Sequence, residues 1–473
     1  MSKTRKEEGI VTPRGRRRAI NAERKGRKKE RKEREERSTI KKRKRIAMKE
    51  MFIKICMGVL GLSFTLGALA QEKIIVLNEG NWQSDNGKMS YFEDGEIVSN
   101  QWFRDVNKQK LGDTPNDIIQ INDGLLAIAI NWSNIVQFIT PEGKAVAATE
   151  DIPNNRRLAT DGRYVYVTSY GHECATIDGF QMFEKGFVAK IDTETFKVVK
   201  AVEVGYEPEG IAIYKGHLFV ANTGGYAFQE SHDYERTVSI IDTETMNVVK
   251  TLDTGCINLY GEMAQSGKFL CINSGGDNYE ISPCSMILDC EKALKGELGS
   301  VVTMPYAATY NTVSRDGEIL AIGSRFSYLT GEYNFDQITI NPEEVMESSG
   351  ARGITHSLPG TMKSDIGKMT SPYSIYVNPY TGFLYATDAG SYASGGKLYQ
   401  WSADGELLGK HTVYINPSHL LALPPDGHFT GIDAIEMEKP VTDGRIFDLS
   451  GRALRSADNG QMYIKGGKKY IKN

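Results

Sequence analysis

From Ile74 to Leu423 the chain alternates short apolar runs with small polar turns. Leu218-Phe219-Val220-Ala221 runs into Asn222-Thr223-Gly224-Gly225, and Phe269-Leu270-Cys271-Ile272 runs into Asn273-Ser274-Gly275-Gly276. Looser copies stand at Tyr164–Gly171 and Phe383–Gly390. Runs of this length bounded by Gly, Asn and Ser read as strands buried in a sheet. Each is preceded by a tight turn: Asp123-Gly124, Asp161-Gly162, Lys215-Gly216, Ser266-Gly267, Asp316-Gly317 or Tyr380-Thr381-Gly382. Glycine supplies the positive φ that a hairpin turn demands, so the spacing predicts antiparallel pairs.

A longer repeat orders these pairs. Ile191–Lys200 reads IDTETFKVVK, and fifty positions later Ile241–Lys250 reads IDTETMNVVK. The Asp and Thr of this stretch are expected to bond local turn amides, which makes them structural rather than a catalytic carboxylate dyad. Self-similarity at a fixed period marks a repeat architecture. Six four-stranded units fit between Thr114 and about Val413, and a seventh assembles from Ile74–Gly80, Met89–Phe92, Ile97–Trp102 and the distant Ser418–Leu423. Residues 71–425 then divide into seven units of about 51. A β-helix needs shorter rungs, and helical repeats would show a 3.6-residue period. The prediction is an all-β, seven-bladed β-propeller closed by its N- and C-terminal strands, which removes exposed edges.

Composition adds a contrast between segments. The formal charge of −3 averages residues 1–47, with 21 Lys and Arg against 7 Glu, and a remainder with 36 basic and 53 acidic side chains. The first 47 residues lack aromatics and should be a disordered basic extension. They read as a nucleic-acid arm or import signal, or as an extended leader or a start codon assigned too early. The acidic body argues against a nucleic-acid groove on the folded part. Residues 48–70 carry Lys, an apolar run from Ile55 to Leu69 and Ala68-Leu69-Ala70, the three parts of a signal peptide. The run is short for a membrane span, and the mature chain is expected to begin at Gln71. No Cys follows the cleavage site, so export is expected to the periplasm or cell surface of a Gram-negative bacterium without an evident lipid anchor. Five cysteines remain, Cys174, Cys256, Cys271, Cys284 and Cys290; no CxxC occurs, and a single bridge within 256–290 stays open. Residues 426–440 read as a linker and 441–473 as a short β tail, too small to hold a core alone.

The chain holds no GxSxG, HExxH, P-loop or GxGxxG, and its seven His are scattered, so no catalytic residue and no metal ligand is assigned. The informative pattern follows the second strand of each unit. Asn81 and Trp82, Asn131 and Trp132, Tyr170, Asn222 and Tyr226, Asn278 and Tyr279, Arg325, and Tyr392 occupy equivalent loops beside Gly and Ser. Equivalent loops in a ring share one face, so these side chains should converge on the channel mouth. Asn116, Arg156, Arg157, Glu207, Glu209, Tyr260, Tyr310 and Tyr373 precede the first strands and should lie near the same mouth. Aromatic rings with polar tips suit a bulky amphipathic ligand, and Arg suits a phosphate or carboxylate. The alternative is that the rings fill space between blades and the arginines pair with Glu.

Val76–Trp82, Gly112–Asp117 and Glu207–Ala212 resemble the signature stretches of the YncE-like (YVTN-type) propellers of Bacteroidetes, over roughly Ile74 to Leu423. Residues 441–473 resemble the short C-terminal tails of exported Bacteroidetes proteins, which are similar to type IX sorting domains. The family resemblance implies a non-enzymatic surface protein that captures cobalamin or another corrinoid and hands it to a TonB-dependent outer-membrane transporter. It implies a bound ligand and no cofactor of the protein's own. A glycan- or protein-binding scaffold and a channel-centred lyase or hydrolase remain open alternatives.

Overall fold

A computed structural model of the protein describes residues 72–425 apart from 178–179, 228–231, 278, 307, 324, 328–331, 335–336, 350–352 and 356. It also describes Gly427 and four short strands between residues 446 and 471. The basic extension, the leader, nearly all of the linker and Asn278 lie outside the described residues, as does the side chain of Arg325.

Seven four-stranded antiparallel sheets make a seven-bladed β-propeller. In blade 1 the innermost strand is Pro417–Leu423, followed outward by Lys73–Asn78, Lys88–Glu93 and Glu96–Ser99. Ile74 lies opposite Ala422 and Val76 opposite Leu420, so the two ends of the chain close the ring. The inner strands of blades 2 to 7 are Pro115–Asn122, Asn155–Thr160, Pro208–Tyr214, Leu259–Ser266, Tyr310–Val313 and Pro372–Val377.

The apolar runs are continuous because both faces of each blade are buried. Successive side chains on a strand point to opposite faces. Ile74 and Val76 therefore pack with Tyr385 and Leu398 of blade 7, while Ile75 and Leu77 pack with Ile118 and Leu126 of blade 2. The same alternation repeats around the ring, with one buried apolar cluster at each of the seven blade interfaces. The turn chemistry follows the sequence pattern: Gly216 and Gly267 take φ of 75° and 56°, although Gly124 keeps a negative φ and donates to Asn122 Oδ1 instead. Asp192 Oδ1 accepts from the Glu194 and Thr195 amides, and Asp242 Oδ1 from the Thr245 amide, which makes these repeated carboxylates turn formers.

Departures from the regular pattern occur where short elements are added. The hairpin Glu173–Ile177 with Phe180–Phe183 extends blade 3, and Arg325–Ser327 with Glu332–Asn334 extends blade 6. The helices Cys290–Lys295 and Pro342–Ser348 join third to fourth strands in blades 5 and 6. These helices are too short to show a period in sequence. The first is instead specified by its cap, because Asp289 accepts from the Glu291 and Lys292 amides. In the tail, Ala453–Leu454, Ile446–Phe447, Met462–Lys465 and Lys468–Ile471 form a sheet in that order.

The Asn that ends the second strand is buried and structural. Asn222 accepts from the Gly205 amide and donates to Thr237 Oγ1 at 2.9 Å and Ser239 Oγ at 3.0 Å. Asn131 donates to the Asn155 carbonyl of the next blade at 2.9 Å. Replacing Asn222 with Ala removes the partner of the Gly205 amide and of buried Ser239 Oγ and is expected to cost about 2 kcal/mol of unfolding free energy. Urea denaturation checks this, and a change below about 0.5 kcal/mol would show the amide to be dispensable.

Candidate functional site

One end of the channel is built by a repeated irregularity. In six blades the inner strand slips register at its first residues, leaving one to three residues unpaired. The skipped residues are Ser418, Asn116, Arg156 with Arg157, Glu209 with Gly210, Gly261 to Met263, and Tyr373. A bulge re-aims the side chain it carries. Here the bulges mass charged and aromatic groups about the mouth rather than between blades.

Arg156, Glu209 and Tyr170 form the centre of this collar. Arg156 donates through Nε at 2.9 Å and Nη2 at 2.6 Å to Glu209 Oε1, which also accepts from the Tyr170 hydroxyl. The Arg156 guanidinium lies 4.9 Å from the Tyr170 ring centroid. Burial alone would raise the Glu209 carboxyl, but Arg156 and Arg157 beside it hold it below the usual carboxylate range. Burial likewise opposes the charge of Arg156, and Glu209 keeps it firmly protonated. Arg157 Nε sits 3.9 Å from Glu209 Oε2 with neither atom hydrogen-bonded, while its Nη1 donates to the Asn116 carbonyl at 2.6 Å.

Rings continue around the mouth. Tyr170 meets Tyr226 edge-on at 6.0 Å, and Phe183 of the added hairpin lies 5.5 Å from Tyr226. Across the channel Tyr310, Tyr373 and Tyr392 form a chain with centroid spacings of 5.9 and 5.6 Å. Tyr373 donates to Glu79 Oε2 at 2.8 Å, and burial raises the Glu79 carboxyl above its ordinary range. Trp82 and Trp132 meet edge-on at 4.9 Å. Their loops are set by Gly80 at φ 74°, by Asn81 N donating to Asn86 Oδ1, and by Asp113, which binds the Asp85 amide and receives the Trp132 amide on its carbonyl. Asn81 Nδ2 reaches the Tyr392 carbonyl at 3.5 Å. Trp82, Tyr260, Tyr279 and Tyr392 are 57%, 40%, 68% and 46% exposed.

The predicted residues thus separate into three groups. Tyr170 and Tyr226 contact one another beside Arg156 and Glu209, Tyr373 contacts Tyr392, and Trp82 contacts Trp132, with Asn81 reaching the Tyr392 carbonyl. Asn131 and Asn222, expected to face a ligand, are instead spent on the buried bonds described above, because the strand end they occupy turns inward between strands. Arg156, for which either an anionic ligand group or a nearby Glu is the expected partner, pairs with Glu209. Asn278 and the side chain of Arg325 lie outside the described residues.

Sequence spacing missed the groups deeper in the channel. A cavity of about 240 Å³ is lined from all seven inner strands. In it His419 Nε2 lies 3.1 Å from Asp117 Oδ1, and His419 Nδ1 lies 3.7 Å from Glu262 Oε2 on the far side. Asp117 also accepts from the Leu158 amide at 2.7 Å. The three residues are far apart in the chain, and only ring closure brings them together. His232, in a mouth loop, stacks on Tyr206 at 3.9 Å and approaches buried Glu207 at 3.3 Å. Among the described residues no cluster of His, Cys, Asp and Glu is arranged to hold a metal ion. A larger cavity of about 580 Å³ lies between blades 6 and 7 beside the Asp316 and Gly382 turns. It contains none of the converging aromatics and opens beside the shortest outer strand, Ile354–Thr355, so it reads as a gap between blades.

No family model matches the chain, and no curated protein matches it. Solved structures similar to it include hydrazine synthase of Kuenenia stuttgartiensis, 14% identical with a TM-score of 0.48 over 66% of this chain and 93% of that one. A quinonprotein alcohol dehydrogenase-like protein from Bacteroides thetaiotaomicron is 14% identical, with a TM-score of 0.42 over 75% and 78%. The WD40 propeller domain of Doa1 is 10% identical, with a TM-score of 0.42 over 67% and 86%. These neighbours differ in what their names describe, and none speaks to what this chain binds.

Removing one partner of a buried ion pair strands the other charge. Arg156→Met is therefore expected to cost about 3 kcal/mol at pH 7 by urea denaturation. In the wild type the Glu209 carboxyl is lowered by folding, so its stabilising contribution is present above the ordinary carboxylate range and lost as pH falls through the folded value. Without Arg156 that carboxyl moves up, so the gap between variant and wild type should shrink on acidification. A gap independent of pH would show that Glu209 is not the stranded group.

Proposed function

We propose that this chain is an exported, YncE-like propeller of a Gram-negative bacterium that captures an amphipathic small molecule at the aromatic mouth of its channel. The carrying observation is the exposure of Trp82, Tyr260 and Tyr392 at the end where the charged collar stands, with Tyr279 exposed on the equivalent loop of blade 5. A folded protein rarely leaves such rings grouped in water unless something covers them. A corrinoid fits this mouth through its broad apolar macrocycle and peripheral amides, and delivery to a TonB-dependent outer-membrane transporter follows from that ligand. Because Arg156 is committed to Glu209, recognition rests on ring faces and tyrosine hydroxyls rather than on a free guanidinium for the phosphate.

A second reading is favoured by one observation, the placement of His419 between Asp117 and Glu262 in the channel. A His held by two carboxylates can move a proton, so a channel-centred enzyme would use these three residues. The readings separate cleanly, since His419→Ala should leave ligand capture at the mouth intact and abolish any channel chemistry.

Calorimetry and visible-absorbance pull-down with cyanocobalamin test the first reading. Binding is expected, and the double variant Trp82→Ala with Trp132→Ala should weaken it tenfold or more, because each covered ring contributes about 1.5–3 kcal/mol. Absence of binding up to about 100 μM, near −5.5 kcal/mol, ends the corrinoid assignment. A glycan array then addresses the remaining ligand class.

A further inference from the structure

Two of the thiols are neighbours. Cys284 Sγ donates to Cys256 Sγ at 3.1 Å, although the residues are 28 positions apart and both are reduced in this structure. Cys256 stands just before the inner strand Leu259–Ser266 of blade 5, and Cys284 opens the third strand, Cys284–Asp289, of the same blade. Thr303 Oγ1 flanks Cys256 at 3.7 Å, and the Ser274 side chain lies against Cys284.

The backbone around the pair is already knitted. Ser274 Oγ donates to the Ile257 carbonyl at 2.6 Å, Gly275 N to the Asn258 carbonyl at 2.7 Å, and Asn258 Nδ2 to the Gly276 carbonyl at 2.9 Å. Gly276 is required here, because its φ is 59° and a Cβ would fall 2.0 Å from the Ile281 carbonyl oxygen. Asp277 then folds the loop back by accepting from the Tyr279 and Ile281 amides, both at 2.8 Å. The two sulfurs therefore face each other across a base that hydrogen bonds have fixed. They need to close only about 1 Å to reach the covalent S–S length of about 2.05 Å, within reach of side-chain rotation.

From this geometry we infer that Cys256 and Cys284 are a redox-active dithiol that oxidises to a disulfide, locking the blade 5 loop that presents Tyr279 at the channel mouth. Cys271 and Cys290 are buried within apolar clusters, and Cys174 is exposed in the blade 3 hairpin. The hydrogen bond from Cys284 lowers the Cys256 thiol to about 6, which marks Cys256 as the attacking sulfur. The oxidant is a disulfide. The Cys256 thiolate attacks one of its sulfurs, forming a mixed disulfide and releasing one thiolate. Cys284 then loses its proton and attacks the Cys256 sulfur, releasing the second thiolate. Two electrons pass to the oxidant, and the two protons from the cysteines end on the departing thiols.

The inference stands or falls independently of what the mouth binds. The purified, reduced full chain is treated with oxidised glutathione, quenched in acid and denatured, and its remaining thiols are counted by maleimide labelling with mass spectrometry. The expected result is loss of labelling at both Cys256 and Cys284, restored by dithiothreitol, with the peptide of Cys256 joined to that of Cys284. Cys284→Ser should instead retain one glutathione on Cys256, because the resolving sulfur is gone. Cys256→Ser should lose the bridge and gain no adduct at Cys284. Circular dichroism confirms that both variants fold. Unchanged thiol count in the wild type, a persistent wild-type adduct on Cys256, or a bridge mapped to Cys174 would overturn the inference.

Discussion

The structure depends on one pairing, that of Lys73–Asn78 with Pro417–Leu423. Blade 1 has no inner strand until the last segment of the ring arrives, and the cluster between blades 7 and 1 draws on both ends of the chain. Closure buries the Ile74 and Val76 side of the Lys73–Asn78 strand against blade 7, while its Ile75 and Leu77 side packs on blade 2. Glu72 reinforces it from within. Its carboxylate accepts from Asn378 Nδ2 at 2.8 Å and from the Tyr385 hydroxyl at 2.5 Å, both in blade 7. A contact between ends so distant in sequence has a large loop-closure cost, which the two interfaces offset together. The channel groups exist only downstream of this event, since His419 rides on the closing strand.

Around the axis, seven inner strands approach too closely for regular pairing to leave room for large side chains at every level. The bulges resolve this at the mouth. They spend a few ladder bonds and in return turn Arg156, Arg157, Glu209, Glu262 and Tyr373 toward the axis. The charges there are matched across blades, bulged Arg156 to bulged Glu209 and regularly paired His419 to Asp117. A buried pair of this kind is weak as a source of stability, because well-packed apolar residues of similar volume often do as well or better. Its value lies in geometry: Glu209 fixes both the Arg156 guanidinium and the Tyr170 hydroxyl, and so holds the ring that meets Tyr226.

The blades were readable in the sequence because their cause is local. Apolar runs such as Leu218–Ala221, hairpin glycines such as Gly216, and the Asp192 turn each act within a few residues, and the fifty-residue repeat multiplies the signal. Even the closing strand could be assigned, because blade 1 lacked one member and Ser418–Leu423 lacked a partner. The mouth was partly legible for the same reason, since a repeat maps equivalent loops onto one end. What the sequence hid was direction. Asn222 and Trp82 both follow a second strand, yet one turns into the blade and the other into solvent. That choice is made by partners far off in the chain, such as Ser239 for Asn222 and Asp113 for the Trp82 loop. The trio of Asp117, Glu262 and His419 has no local signature at all.

Rigidity links the collar to the exposed rings. A ligand that covers Trp82, Tyr279 or Tyr392 gains most when these rings lose little freedom on binding. Tyr392 contacts Tyr373, which is tied to Glu79, and Trp82 leans on Trp132, whose loop shares Asp113 with its own. Tyr279 stands on a loop whose fold rests on Asp277 and whose base rests on the Cys256–Cys284 contact. Oxidation at that base would add a covalent tie beneath the blade 5 loop. A dithiol placed there therefore acts on ordering cost rather than on any direct contact with the ligand.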